Sequence, residues 1–167
     1  RGPGATAFLD HFTCNKLPNV GRINLTYALT AAGTTRTEYT IVRLKENEYY
    51  LISAGAWTSY DSDFLLKSAE DFMGNGGGYI DIHDVTTQWG VYALAGPNAR
   101  ALMKDLIKDA DPETALSNKR FPWLSYRDIA LRANISYKTV SNVSQTLKDK
   151  LGAQSLADLA VKAVRHL

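Results

Sequence analysis

Two stretches of this chain open in the same way, and that repetition limits what the chain can fold into. GPGATAFLDHF at 2–12 and GPNARALMKDL at 96–106 share Gly, Pro and two Ala in register, and Phe8, Leu9 and Phe12 are answered by Leu102, Met103 and Leu106. Proline suits the start of a helix, where its missing N–H costs nothing. The apolar spacing that follows gives each helix one buried stripe. With only two copies and a long period, a solenoid is excluded. A helix that must bury one stripe needs a sheet or another helix to bury it against.

The segments between the copies supply strand patterns. Residues 23–29, 38–44 and 49–53 are rich in strand formers, with a turn at 32–35 and a polar connection around Lys45-Glu46-Asn47-Glu48. Residues 61–73 have helical spacing through Phe64, Leu65, Ala69 and Phe72. Residues 79–85 and 90–95 read as two further strands. The expected fold class is therefore α+β: an antiparallel sheet with helices in a duplicated α+β unit, followed by a small all-α helix-turn-helix segment. The glycine-rich GNGGG at 74–78 lacks the Lys-Ser/Thr of a phosphate loop and precedes a strand, so it reads as a flexible surface loop.

Charge is unevenly placed. The whole chain is only +2, but residues 126–167 hold seven basic against three acidic side chains, a local +4. The other residues must then sum to −2. Such asymmetry suggests a local basic face. Cys14 is the single cysteine, which rules out an intrachain disulfide and a cysteine-built zinc site, and it reads as a semi-buried structural thiol. His11, His83 and His166 have no metal-ligand spacing, so no metal is expected. No stretch approaches the roughly 20 apolar residues of a membrane span. The chain opens at Arg1-Gly2-Pro3 with no initiating Met and no signal peptide, which suggests an interior segment of a longer, cytoplasmic protein.

GPGATAFLDHFTCNKLPNVGR (2–22), RTEYTIVRL (36–44), DVTTQWGVYALAGPNARALM (84–103) and FPWLS (121–125) together resemble the folate-binding aminomethyltransferase family, the glycine-cleavage T-protein type, and most nearly the domain fused to dimethylglycine and sarcosine dehydrogenases. The resemblance covers residues 1–125 and implies a pocket for tetrahydrofolate that receives a one-carbon unit leaving an amine. It implies a catalytic and cofactor-binding role for Glu38, an acid on the second strand facing the reactive pterin nitrogen. Such sequences often carry Tyr where Leu25 stands here, and Tyr27, two residues on and on the same strand face, is the stand-in for folate contact. The family's later RxSYxGExG-like stretch is met only as ANISY (133–137), so the domain reads as partial. No glycine-rich βαβ fingerprint is present, and neither FAD nor NAD is expected on this chain.

From residue 126 the pattern turns helical. Asn134 closes one short helix, Ser136 caps a second, Gly152 ends it, and Ser155 caps a third. NISYKTVSNVSQTLKDKLGAQSLADL resembles the recognition part of a LuxR-type helix-turn-helix. The resemblance implies duplex DNA binding through 136–151, with Ser141, Asn142 and Gln145 at base edges and Tyr137, Lys138, Thr139, Lys148 and Lys150 beside phosphates. It also implies a homodimer through 155–167. This module too lacks its first helix. Two partial modules joined with no Pro, Gly or Ser linker leave three expectations: a one-carbon-transfer domain, a DNA-binding regulator, or a chimeric fragment with no working site.

Overall fold

The computed structural model describes residues 1–128; the helix-turn-helix positions Tyr137 to Lys150 and the dimer segment lie outside the described residues. The described residues divide into two compact units, Arg1–Gly90 with Phe121–Arg127, and Val91–Arg120 with Asp128.

The first unit runs α1 (Ala5–Phe12), β1 (Ile23–Leu29), β2 (Thr35–Lys45), β3 (Glu48–Ile52), a short 3-10 turn and α2 (Thr58–Gly74). The three strands form one antiparallel sheet in the order β1-β2-β3. Lys45 pairs with Glu48, so only Glu46 and Asn47 make the β2–β3 turn, tighter than the connection expected. Thr6 on α1 ties to this turn, its hydroxyl donating to the Glu46 carbonyl at 2.8 Å and lying 2.8 Å from the Tyr49 hydroxyl.

Alternation along the strands sorts the sheet into two faces. Thr26, Ala28, Tyr39, Ile41, Tyr49 and Leu51 share the face that packs under α1 and α2, where Ala28, Tyr39 and Ile41 are buried with Phe12, Leu17 and Phe64 against them. A second cluster joins Phe8 and Leu9 of α1 to Ala69 of α2 and to Ile80. Phe8 stacks on Phe12 at 5.2 Å and meets Phe72 edge-on at 5.6 Å. Burial, with the nearby Asp61 carboxylate adding to it, pushes the Tyr39 phenol up to about 12. FPWLS returns to this unit: Ile23 N–H donates to the Leu124 carbonyl at 2.9 Å and Tyr126 N–H to that of Gly21 at 2.8 Å, beside an Arg22–Ser125 bridge.

Several expectations need correction. Residues 79–85 and 90–95 are not strands. The former runs beside the chain's first residues, where Asp81 N–H donates to Arg1 O at 2.7 Å and Gly4 N–H to Tyr79 O at 3.0 Å, while Ile80 N–H donates to the Met73 sulfur at 3.3 Å. Gly2, at φ +125, bends those first residues out of extended form, so no ladder develops. Residues 90–95 are exposed throughout and join no ladder among the described residues. Among the described residues the duplication is seen in the helices, α1 and α3.

GNGGG lies largely at the surface, as expected, but it is held by specific contacts. Gly76 (φ +87) and Gly77 complete a Schellman cap of α2, with Gly76 N–H donating to Met73 O at 3.2 Å and Gly77 N–H to Phe72 O at 2.9 Å. Gly78 crosses the backbone of Gly4 so closely that a Cβ on Gly78 would meet Gly4 Cα at 2.9 Å. Cys14 is exposed rather than semi-buried.

The second unit, taken by itself, holds α3 (Ala99–Leu106) and α4 (Pro112–Ala115). The helix of the repeat's second copy begins and ends at the same repeat positions as α1. Asp111 caps α4, its carboxylate accepting from Thr114 N–H at 3.2 Å. Lys104 pairs with Glu113, and Arg100 donates to the Asn118 side chain at 2.7 Å. No helix among the described residues is long and apolar enough to cross a membrane.

Candidate functional site

The sheet face turned away from α1 and α2 carries the two positions singled out for folate. Tyr27 on β1 and Glu38 on β2 are direct cross-strand partners. Directly paired residues on an antiparallel sheet point to the same side, with Cβ atoms about 4.5–5.5 Å apart. The pairing has an electrostatic trace: hydrogen bonding to the Glu38 carboxylate, then the charge of that carboxylate, pushes the Tyr27 phenol above its ordinary value. Thr37 and Tyr39 flank Glu38 in sequence but point to the other side, so a one-residue slip of β2 would remove the carboxylate from this face.

Around the pair the face is apolar and open. Leu25 lies across from Thr40, and Thr40 across from Ile52 of β3. Leu25 is 48% exposed, Tyr27 37% and Ile52 49%. Val42 pairs with Tyr50, whose ring meets Trp89 edge-on at 6.3 Å. The Glu38 carboxylate and the Tyr27 phenol thus stand beside exposed apolar side chains. The chemistry of this face suits a flat heteroaromatic ring bearing an N–H: the apolar side chains cover the ring and the carboxylate accepts from the nitrogen.

Leu25 and Tyr27 fall on the same face, as strand parity requires. Sequence reasoning left out Tyr50, Ile52 and Trp89. Strand parity alone could have placed Tyr50 and Ile52 beside Glu38, once the β2–β3 turn was known to be two residues long. Trp89 had no such signal, because it follows an irregular segment. Among the histidines, His83 lies 2.8 Å from the Asp81 carboxylate, which Arg1 also holds at 2.9 Å. That contact belongs to the N-terminal crossing and is apart from the sheet face. Among the described residues no group of three or more His, Cys, Asp or Glu is placed to hold a metal.

Comparison with known proteins gives a consistent picture for most of the chain. A family model described as the GCVT N-terminal domain matches residues 1–144. The mitochondrial dimethylglycine dehydrogenase of Mus musculus is 29% identical over 138 residues, covering 82% of this chain and 15% of that protein. The aminomethyltransferase of Thermus thermophilus is 30% identical over 124 residues, covering 73% of this chain and 34% of that protein. A different relative, the methanol utilization control regulatory protein MoxX of Paracoccus denitrificans, is 74% identical over 43 residues, covering 26% of this chain and 19% of that protein. The chain thus spans only part of the length of each of these relatives, from 15% to 34%.

Proposed function

The chain belongs to the GCVT N-terminal domain family, and from that membership we propose that its open sheet face holds the pterin ring of tetrahydrofolate for one-carbon transfer from an amine. The observation that carries this reading is the Tyr27–Glu38 pair, set side by side on the apolar face. Folate, when bound, supplies a nucleophilic ring amine that accepts the one-carbon unit. Leu25, Ile52 and Tyr50 cover one face of the ring and keep water from it. Glu38 accepts a hydrogen bond from the reactive N–H and either takes up its proton or, remaining ionised, stabilises positive charge that develops beside it. Tyr27 donates to Glu38 and so holds the carboxylate in one orientation. The relatives' names, aminomethyltransferase and dimethylglycine dehydrogenase, agree with an amine as the donor of the one-carbon unit.

The test is a calorimetric titration of the chain with tetrahydrofolate under anaerobic conditions. A hydrogen bond to a charged group is worth about 10- to 100-fold in affinity, so Glu38→Gln is expected to weaken binding by that factor and Tyr27→Phe by less. Binding that Glu38→Gln leaves unchanged would refute the reading.

A second reading concerns residues 126–167, and the 74% identity to a regulatory protein over a stretch of similar length favours it. In this reading the segment binds duplex DNA through Ser141, Asn142 and Gln145, positioned by Lys138 and Lys148 on phosphates. Binding to labelled duplex would then fall with added salt and with Lys138→Ala. Affinity indifferent to both would dismiss it.

A further inference from the structure

Tyr50 and Trp89 stand at the end of the open sheet face that lies away from Glu38. Glu38, Thr40 and Val42 alternate onto one side of β2, and Tyr50 pairs directly with Val42, so its side chain is on the same side as the Glu38 carboxylate. The run of strand from Glu38 to Val42 spans about 13 Å at roughly 3.3 Å per residue. Leu25 and Ile52 flank Thr40 midway along it.

At the end of that span the surface becomes aromatic. Val42 is only 5% exposed there. The Tyr50 and Trp89 rings lie 6.3 Å apart with their planes at 72°, so they make two walls of a corner. Trp89 keeps 64% of its surface exposed, and Tyr50 is its one ring partner among the described residues. An indole offers a large flat apolar face, and a second aromatic ring gains by stacking on it. The corner also decides which part of a ligand it suits. The amino-oxo edge of a pterin needs donors and acceptors in a fixed pattern, which Val42 and Trp89 do not supply, and burying it there would leave polar groups unpaired. A neutral arene needs none.

Tetrahydrofolate carries such an arene. A short methylene–amine link joins an arylamine to the pterin carbon next to the reactive N–H. With that N–H at Glu38 and the amino-oxo edge turned from the corner, the link runs along β2 toward Tyr50 and Trp89. We propose that the Trp89 indole is the platform on which this arylamine ring stacks, with Tyr50 as the second wall, and that it makes the face select folates over simple pterins. The proposal rests on the folate reading of the sheet face.

The test is an anaerobic calorimetric titration of the whole chain with two ligands. One is 6-methyltetrahydropterin, which has the pterin and its N–H alone; the other is tetrahydropteroate, which adds the arylamine but no glutamate. The parent chain is expected to bind tetrahydropteroate about tenfold more tightly, the weight of one aromatic stacking contact. Trp89→Ala, with its fold checked by circular dichroism, is expected to remove that preference and leave the affinity for the pterin unchanged, and Trp89→Phe to keep most of it. Glu38→Gln is expected to weaken both ligands and preserve their ratio. Equal affinity of the parent chain for the two ligands would overturn the proposal and leave the folate reading standing. So would a preference that survives in Trp89→Ala, or an equal loss of both ligands in that variant, which would put the pterin itself on the indole. Binding of neither ligand would overturn the folate reading and the proposal with it.

Discussion

Gly78→Ala separates two accounts of the glycine-rich stretch by sign. If 74–78 were an unconstrained loop, replacing Gly by Ala would leave stability nearly unchanged or raise it by up to about 1 kcal/mol, because the unfolded chain loses at least as much conformational freedom as the folded one. The structure demands the opposite. A Cβ on Gly78 would stand 2.9 Å from Gly4 Cα, 3.0 Å from Gly4 N and 3.4 Å from Pro3 C. All three are backbone atoms that cannot rotate away, and carbon atoms ordinarily approach to about 3.5–4.0 Å. The two chain segments must separate, which costs about 1–3 kcal/mol as overpacking. Separation also weakens the Gly4–Tyr79 and Asp81–Arg1 backbone hydrogen bonds, at 3.0 and 2.7 Å. Each contributes about 1 kcal/mol. The expected loss is therefore about 2–4 kcal/mol, read from urea unfolding at constant m. Gly4→Ala should lose at least as much, since its Cβ would stand 2.0 Å from the Gly78 carbonyl oxygen. Gly74→Ala is the control: nothing lies within 4 Å and the residue ends α2. There Ala should stabilise by up to about 1 kcal/mol. A Gly78→Ala protein as stable as the parent, or more so, would refute the crossing.

Other perturbations follow from the same structure. Phe8→Ala empties the site of a 2%-exposed ring at the centre of the aromatic cluster, and urea unfolding should show a loss of about 3–5 kcal/mol. Asp81 is held below the usual carboxylate range by hydrogen bonds from Arg1 and then His83, so its contribution to stability is present above the ordinary Asp value and is lost as pH falls through the lowered one. Asp81→Asn should therefore lower the urea midpoint at neutral pH and converge with the parent in strong acid. Glu38→Gln removes the group that raises the Tyr27 phenol, so an ultraviolet titration of tyrosinate should find that phenol shifted back toward its ordinary value; an unmoved titration would mean the pair is not in contact. Thr6→Val deletes a hydroxyl that meets Glu46 O and Tyr49 in the β2–β3 turn and should cost about 1 kcal/mol in the same urea experiment.

What could be read from the sequence was what is decided locally. Both GP-initiated helices form where their spacing put them, and α1 and α3 occupy the same repeat positions. Helix boundaries depend on proline, apolar spacing and caps within a turn or two. The three strands with alternating patterns also form, and strand parity sets Tyr27 and Glu38 on one face. What failed depends on partners far along the chain. A strand is made by its neighbour, and the alternation of 79–85 carries no information on whether a neighbour is extended; here it meets Gly2 at φ +125. The close packing within the glycine cluster is hidden for the same reason, because a flexible glycine and one excluded from having a Cβ by a segment over 70 residues away look alike in sequence.

The two copies of the repeat carry this argument one step further. α1 buries Ala5, Phe8 and Leu9, whereas α3 buries none of its residues, with Leu102 still 49% and Leu106 37% exposed. Their sequences predict the same stripe and their backbones form the same helix, so the difference lies wholly in what each is packed against. For α1 the partners are a three-stranded sheet and α2, assembled from residues up to Ile82. The same sheet carries Glu38 on its other face, where Leu25, Tyr27 and Ile52 are exposed. Burial of one face by α1 and α2 is what fixes the register of β2, and the register is what sets a carboxylate opposite Tyr27 on the open side. The helices thus position the candidate site from behind without touching it. A core substitution such as Phe8→Ala should therefore disturb folate affinity only to the extent that it disturbs the β1–β2 pairing.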